Sequence, residues 1–295
     1  MDKKDWLILQ TVYAEKNITK AAELLYISQP TLTYRLQQIE KEFDIKLFYR
    51  GRRGVDFTEQ GELLVKYAKD MLKQQQEMEE LLWNSGNEVR GTLRLSVSRT
   101  FAFYRLPQIL KAFNEKFPKV EFHVNTGVNI DVVQSIYKQE AHIGIVRGDH
   151  SWPSKKITIT EENITILSSE EIDLTDLPSK RRISYKTDPT LEMVIDNWWK
   201  EHFSTPPISN MNVDNVEIAK RMVLNGLGYC IAPSIVLEKN DKLHKIFLSD
   251  TTGSPIIWKT RILYREELME LAMVREFVHF LQEYHCHYFE NESLN

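Results

Sequence analysis

No run of eighteen or more apolar residues occurs in the 295-residue chain, so no transmembrane helix is expected. The first ten residues, MDKKDWLILQ, hold too short an apolar run for a signal peptide and lead directly into a helical pattern. Cysteine is scarce: Cys230 and Cys286 lie far apart, and a reduced, cytoplasmic chain is the default. Cys286 sits between His285 and His287, but neighbours along a helix point in different directions. A metal centre there is disfavoured, and no cofactor is expected. The motifs GxGxxG, GxxxxGK and GxSxG are all missing, as are the aromatic runs of an RNA-binding sheet. Adjacent carboxylates such as Glu161–Glu162 and Glu170–Glu171 would face opposite ways in a strand and read as solvated. No catalytic residue is nominated. An α/β enzyme with a helical N-terminal extension is kept only as the rival reading.

Positive charge is also short, with a formal net charge of -4. That speaks against a nucleic-acid partner for the chain as a whole, but local charge decides in a multi-domain protein. The decisive stretch runs from Thr19 to Arg53. Ala21, Ala22, Leu24 and Leu25 form a small-then-large apolar face. Leu32, Leu36, Ile39 and Phe43 then recur at helical spacing. Ser28 can cap the second run, and Pro30 is harmless in a first turn because its missing N–H would have no intrahelical partner. Two short helices meeting over alanines make a helix-turn-helix. The first helix of the chain is expected to end near Asn17, with Thr19 capping the second. Lys46, Arg50, Arg52 and Arg53 follow with no acid among them. Alone they would read as a solvated loop; beside this motif they read as phosphate contacts. From Ile45 to Phe57 the chain reads as two short strands turning at Gly51 and Gly54, which is a wing.

Thr58 begins a long helix in which Leu64, Ala68, Met71, Gln75, Met78 and Leu82 follow a 3.5-residue repeat. Dimerisation is preferred over a helix lying on its own domain. After a linker near 84–91, strands and helices alternate, which implies parallel sheets with crossover connections. Strands are expected at Thr92–Val97, Lys119–Asn125, His142–Val146, Ile164–Leu167, Arg182–Tyr185, Met211–Val213, Tyr229–Ala232 and Ile256–Tyr264. Helices are expected at Leu106–Phe117, Val132–Lys138, Leu191–His202, Val216–Asn225 and Leu268–Tyr284.

These residues resemble the LysR-type transcriptional regulators. The resemblance is specific in TKAAELLYISQPTLTYRLQQIEKEF, KLFYR and FTEQGE, and weaker through GTLRLSV, LPQILKAFNEKFPKVEF, HIGIV and NGLGYCIAPS. It covers nearly the whole chain. It implies an α plus α/β architecture: a winged helix-turn-helix over residues 1–57, a dimerising linker helix over 58–90, and an effector domain over 91–295 like a periplasmic binding protein. The first lobe of that domain would take about 91–161 plus 266–295, and the second about 162–265. Tyr34 stands where the family often has arginine, and Gln37 and Gln38 replace frequent basic residues.

On this resemblance the partners are double-stranded DNA carrying an A·T-rich dyad, a second copy of the chain as dimer or dimer of dimers, and a small-molecule effector. RNA polymerase is a further candidate, and no membrane is involved. A recognition helix reads bases mainly with its N-terminal residues. The DNA-contacting candidates are therefore Gln29, Pro30, Thr31, Thr33 and Tyr34 in the groove, with Arg50, Arg52 and Arg53 on the backbone or in the minor groove. Tyr34 has the alternative of a surface aromatic without contact. In the effector domain, strand ends nominate Ser98, Arg99, Thr100, Asn129 and Arg147, with Arg261 on a crossing strand. Arginine at the end of a buried strand needs an anion, either a ligand carboxylate or an internal partner such as Asp149 or a distant acid. A small carboxylate related to citrate is the expected effector, and a non-anionic molecule is the alternative.

Overall fold

The computed structural model describes residues 1–51, 54–83 and 88–284, and the chain divides into two compact units, Met1–Ser85 and Gly86–Asn295. Within the first, helices α1 (Lys3–Glu15), α2 (Ile18–Leu24) and α3 (Gln29–Phe43) precede a hairpin of β1 (Phe48–Gly51) and β2 (Gly54–Phe57) and the long helix α4 (Glu59–Trp83). Asp2 and Asp5 form a reciprocal capping box at the start of α1. That helix ends one residue earlier than expected, because Lys16 takes the left-handed conformation (φ 48). Asn17 instead caps α2, its side chain accepting from the Thr19 and Lys20 amides at 3.0 and 3.1 Å. Thr19 is therefore not the cap; asparagine is the better N-cap and stands first in line.

Ser28 accepts from the Thr31 amide at 3.3 Å, and Pro30 sits in the first turn of α3. Leu32, Leu36 and Ile39 are buried against Ala21 and Ala22, whose small side chains let the two helices approach. Phe43, expected on the same face, is exposed instead, because Asp44 (φ 51) ends the helix there. Thr58 caps α4 by accepting from the Gly61 amide at 3.0 Å. Gly61 is required: a Cβ there would lie 2.0 Å from the Leu47 carbonyl oxygen. The expected single seam along α4 divides in two. Leu64, Val65 and Ala68 pack into their own unit beside Leu9 and Val12, whereas Leu63, Tyr67, Met78 and Leu82 are exposed. Gln75, placed in that seam, hydrogen-bonds Glu79 one turn away.

In the second unit, β3 (Gly91–Ser98) runs parallel to both β4 (Val120–Gly127) and β5 (Ile143–Arg147). Between them lie α5 (Arg99–Tyr104), α6 (Leu106–Lys116) and α7 (Asn129–Tyr137). Strand β6 (Lys155–Ser168) and the last strand, β11 (Ile257–Tyr264), run antiparallel from Lys155 to Asn163. Beyond that point β6 pairs with β9 (Cys230–Pro233) and β10 (His244–Phe247). Only the apolar end of β6 had been legible as a strand; its first half alternates exposed polar residues. A parallel pair, β7 (Arg181–Tyr185) and β8 (Ile208–Val213), joins β9 through an Arg182–Tyr229 bridge. Helices α8 (Pro189–His202) and α9 (Val216–Leu224) cover this second lobe.

The result is two α/β lobes crossed by β6 and β11. The first lobe buries Ile109, Phe113, Phe277 and Val278 against its sheet, and the second buries Ile195, Trp198 and Trp199. Helix α10 (Ala272–Tyr284) starts later than expected, after a short 3-10 turn at Glu266–Glu270. Among the described residues no helix is long and apolar enough to cross a membrane.

Candidate nucleic-acid interface and ligand cleft

The apolar face of α3 is spent on the core, so its other face is offered outward. Gln29, Pro30, Thr31 and Tyr34 are exposed and Thr33 is half-buried. Two contacts stiffen this end: Ser28 and Thr31 share a hydroxyl–hydroxyl bond of 2.7 Å, and the Gln29 amide donates to Thr33 Oγ1 at 2.8 Å. Arg35 is not available to this face. Its guanidinium donates to Asp5, with Nη2 at 2.6 Å from Oδ2. Burial opposes the charge of Asp5, but the hydrogen bonds from Arg35 and the Asp2 amide outweigh it and hold the carboxyl below its ordinary range. Arg50 is exposed on β1, opposite Val55. Arg52 and Arg53 lie outside the described residues, as do His285, Cys286 and His287.

In the second unit the candidates come from neighbouring strand ends. Ser98 closes β3 and Arg147 closes β5, and Val97 stands opposite Ile145 in the parallel pairing of those strands. Both are buried, and Ser98 Oγ and Arg147 Nε have no hydrogen-bond partner among the described residues. Arg147 Nη2 donates to Glu162 Oε2 at 2.6 Å, so its counter-ion is an internal carboxylate. Glu162 was read as solvated. It is 8 % exposed, takes a further contact from the Ile235 amide, and turns inward because its neighbour Glu161 turns outward to Lys259.

Asn129 is buried and saturated: its amide donates to the Arg147 carbonyl at 2.7 Å and to Asp188 Oδ2 at 2.8 Å, and its Oδ1 accepts from the Arg147 N–H. Arg261 is occupied by the Gly148 carbonyl, with Asp149 3.7 Å away. Arg99 and Thr100 do not extend a strand-end loop; they open the short helix α5, Arg99 exposed and Thr100 half-buried.

Glu162 and Asp188, which hold Arg147 and Asn129 in place, are residues that the sequence reading missed. Asp188 caps α8 through the Thr190 amide and hydroxyl, and His150 lies 3.6 Å from it. Burial opposes its charge, yet the bonds from Thr190 and Asn129 keep its carboxyl below the ordinary range. The Asp-Pro step into an apolar helical run was the available signal for that cap. Cys230 is fully buried, and desolvation pushes its thiol up to about 12. A thiol in that state is a packing residue and a poor nucleophile.

A capped helix-turn-helix with a wing, and a two-lobed α/β domain with unpaired buried donors at neighbouring strand ends, are the build of a DNA-binding regulator with an effector domain. Two family models match the chain: "Bacterial regulatory helix-turn-helix protein, lysR family" over residues 4–62, and "LysR substrate binding domain" over residues 86–285. The chain belongs to the LysR family of transcriptional regulators. The HTH-type transcriptional regulator YraN of Bacillus subtilis (strain 168) is 39% identical over 282 residues, covering 96% of this chain and 98% of its own. YkuM of the same strain is 34% identical over 285 residues, covering 96% and 97%. The fold is shared with full-length CbnR in complex with its target DNA, at TM-score 0.69 and 18% identity over 96% of this chain and 99% of that one. It is also shared with AphB of Vibrio cholerae, at TM-score 0.61 and 18% identity over 97% and 100%.

Proposed function

We propose that this regulator grips an A·T-rich dyad as a homodimer or dimer of dimers, and that a small carboxylate bound between the lobes modulates it in the cytoplasm. The carboxylate reading rests on one observation: Ser98 Oγ and Arg147 Nε are buried donors at neighbouring strand ends with no acceptor among the described residues. An unmet buried donor costs roughly 1–3 kcal/mol, which a ligand oxygen recovers. Asn129 and Arg261, already engaged, would orient the site and not grip the ligand. A thermal-shift panel of mono-, di- and tricarboxylates against amines and aromatics tests it. Stabilisation by a carboxylate that disappears in Ser98→Ala is the expected result; stabilisation by amines alone sinks it. The neutrality of the Arg147–Glu162 pair favours a second reading, a neutral oxygen-bearing ligand, which an amide or sugar in the same panel would reveal.

Dimerisation would use the exposed Leu63, Tyr67, Met78 and Leu82 of α4. Sedimentation of Leu82→Glu should show monomers at concentrations where the parent is dimeric. For sequence reading, Gln29 would pair with adenine while Pro30, Thr31 and Thr33 meet thymine methyls, with Tyr34 beside them and Arg50, Arg52 and Arg53 on the backbone. Footprinting upstream of the protein's own gene, with and without carboxylates, locates the operator.

A further inference from the structure

Tyr26 occupies the turn between α2 and α3, with its side chain 96 % exposed and its backbone in the left-handed region at φ 54. No packing explains a bulky aromatic there, since a left-handed φ strains a residue with a Cβ and favours glycine or asparagine. The turn itself is well held. The Tyr26 N–H donates to the Glu23 carbonyl and the Ile27 N–H to the Ala22 carbonyl, each at 3.1 Å. A firm frame thus carries the ring outward, two residues before the Ser28 cap of the recognition helix.

Charge is missing from the same place. From Tyr26 to Tyr34 the chain reads YISQPTLTY, with no ionisable acid or base except the two phenols that bracket it. Residues 1–85 as a whole carry thirteen lysines and arginines against fourteen aspartates and glutamates. This segment therefore offers a phosphate beside the N-terminus of α3 only neutral donors of its own. The Ser28 and Thr31 hydroxyls engage each other, Thr33 is engaged by Gln29, and the nearest cation along the chain, Arg35, is tied to Asp5. The Tyr26 and Tyr34 hydroxyls have no partner among the described residues. Tyr34 lies on the face of α3 offered to the groove, whereas Tyr26 stands outside the helix, at its entry.

We propose that Tyr26 donates its phenolic hydroxyl to a phosphate oxygen at the edge of the major groove, a backbone contact that positions α3 and carries no sequence information. The inference rests on the DNA-binding reading of α3. Fluorescence anisotropy of the full-length protein on two duplexes tests it. One contains an A·T-rich dyad, and the other is a scrambled duplex of equal length. Tyr26→Phe should weaken both by the same factor, about threefold to tenfold for one neutral hydrogen bond. Tyr26→Arg should restore affinity and steepen the log-log salt dependence by about 0.9. Tyr26→Asn, which suits the left-handed turn, should bind more weakly while its thermal midpoint holds or rises. Parental affinity of Tyr26→Phe on both duplexes overturns the contact, and so does a loss confined to the dyad, which would mark a base contact. A parent protein that binds neither duplex removes the DNA-binding reading itself.

Discussion

The two units treat their functional side chains in opposite ways. On α3 the outward polar residues are exposed or half-buried, with side-chain bonds that stay within the first turn, while the one arginine of that helix is withdrawn into an ion pair with Asp5. In the second unit the strand-end residues are buried, and most of their hydrogen-bonding capacity is consumed by Glu162, Asp188 and backbone carbonyls. DNA presents a regular surface, so a reader needs outward groups on a stiff helix. A small ligand must be enclosed, so its site needs buried polar groups kept in register by partners until the ligand arrives. Substitution should therefore separate the units by kind: stability losses in the cleft, discrimination losses on α3.

The largest expected effect is on Arg147. Arg147→Met leaves Glu162 as an unpaired buried carboxylate and should cost roughly 3–5 kcal/mol in denaturant unfolding, with much of the loss recovered when Glu162→Gln is added. Additive losses in that cycle would mean the pair does not act as a unit. Next comes Gly61→Ala, whose methyl is forced against the Leu47 carbonyl; a loss of about 1–3 kcal/mol is expected in the transition of the first unit. If the second unit's transition moves as far, the two do not unfold separately. Gln29→Ala should lose roughly 1–3 kcal/mol of discrimination at one base pair without changing stability. Equal weakening on specific and random duplexes would remove Gln29 as a reader.

The smallest effect tests Asp5. Its folded pKa is depressed, so the Asp5–Arg35 pair contributes stability above the ordinary carboxylate pKa near 3.8, and that contribution is lost as pH falls through the lower folded value. Arg35→Met should cost on the order of 1 kcal/mol at neutral pH, discounted for the exposed guanidinium, and should flatten the fall in melting temperature below pH 4. An unchanged acid limb would show that other carboxylates govern it.

Much of the first unit was legible along the chain because its cues are local. Ser28 before Pro30, the period of Leu32, Leu36 and Ile39, and the Gly51 and Gly54 turn each report on residues within one or two turns of themselves. The errors there were local too: Asn17 displaced Thr19 as a cap, and Phe43, in the last position of α3 before the Asp44 cap, stays out of the core. The seam of α4 was misjudged because its first half packs on α1, a segment more than forty residues away. In the second unit the order of strands and helices was readable from alternating patterns, β11 included, but the first half of β6 was not, since Lys155, Lys156, Thr158 and Glu161 on it are exposed.

Residue chemistry and period by themselves determined a helix-turn-helix with a wing, a long helix and an alternating α/β domain. They also nominated Ser98, Asn129 and Arg147 as strand-end groups. Only the tertiary structure decided which of these still have hydrogen bonds to give. Glu162 reaches Arg147 from fifteen residues away and Asp188 reaches Asn129 from fifty-nine. Which buried donor is spent on a partner and which is left unpaired is a fact about distances in space. Spacing along a chain does not record it.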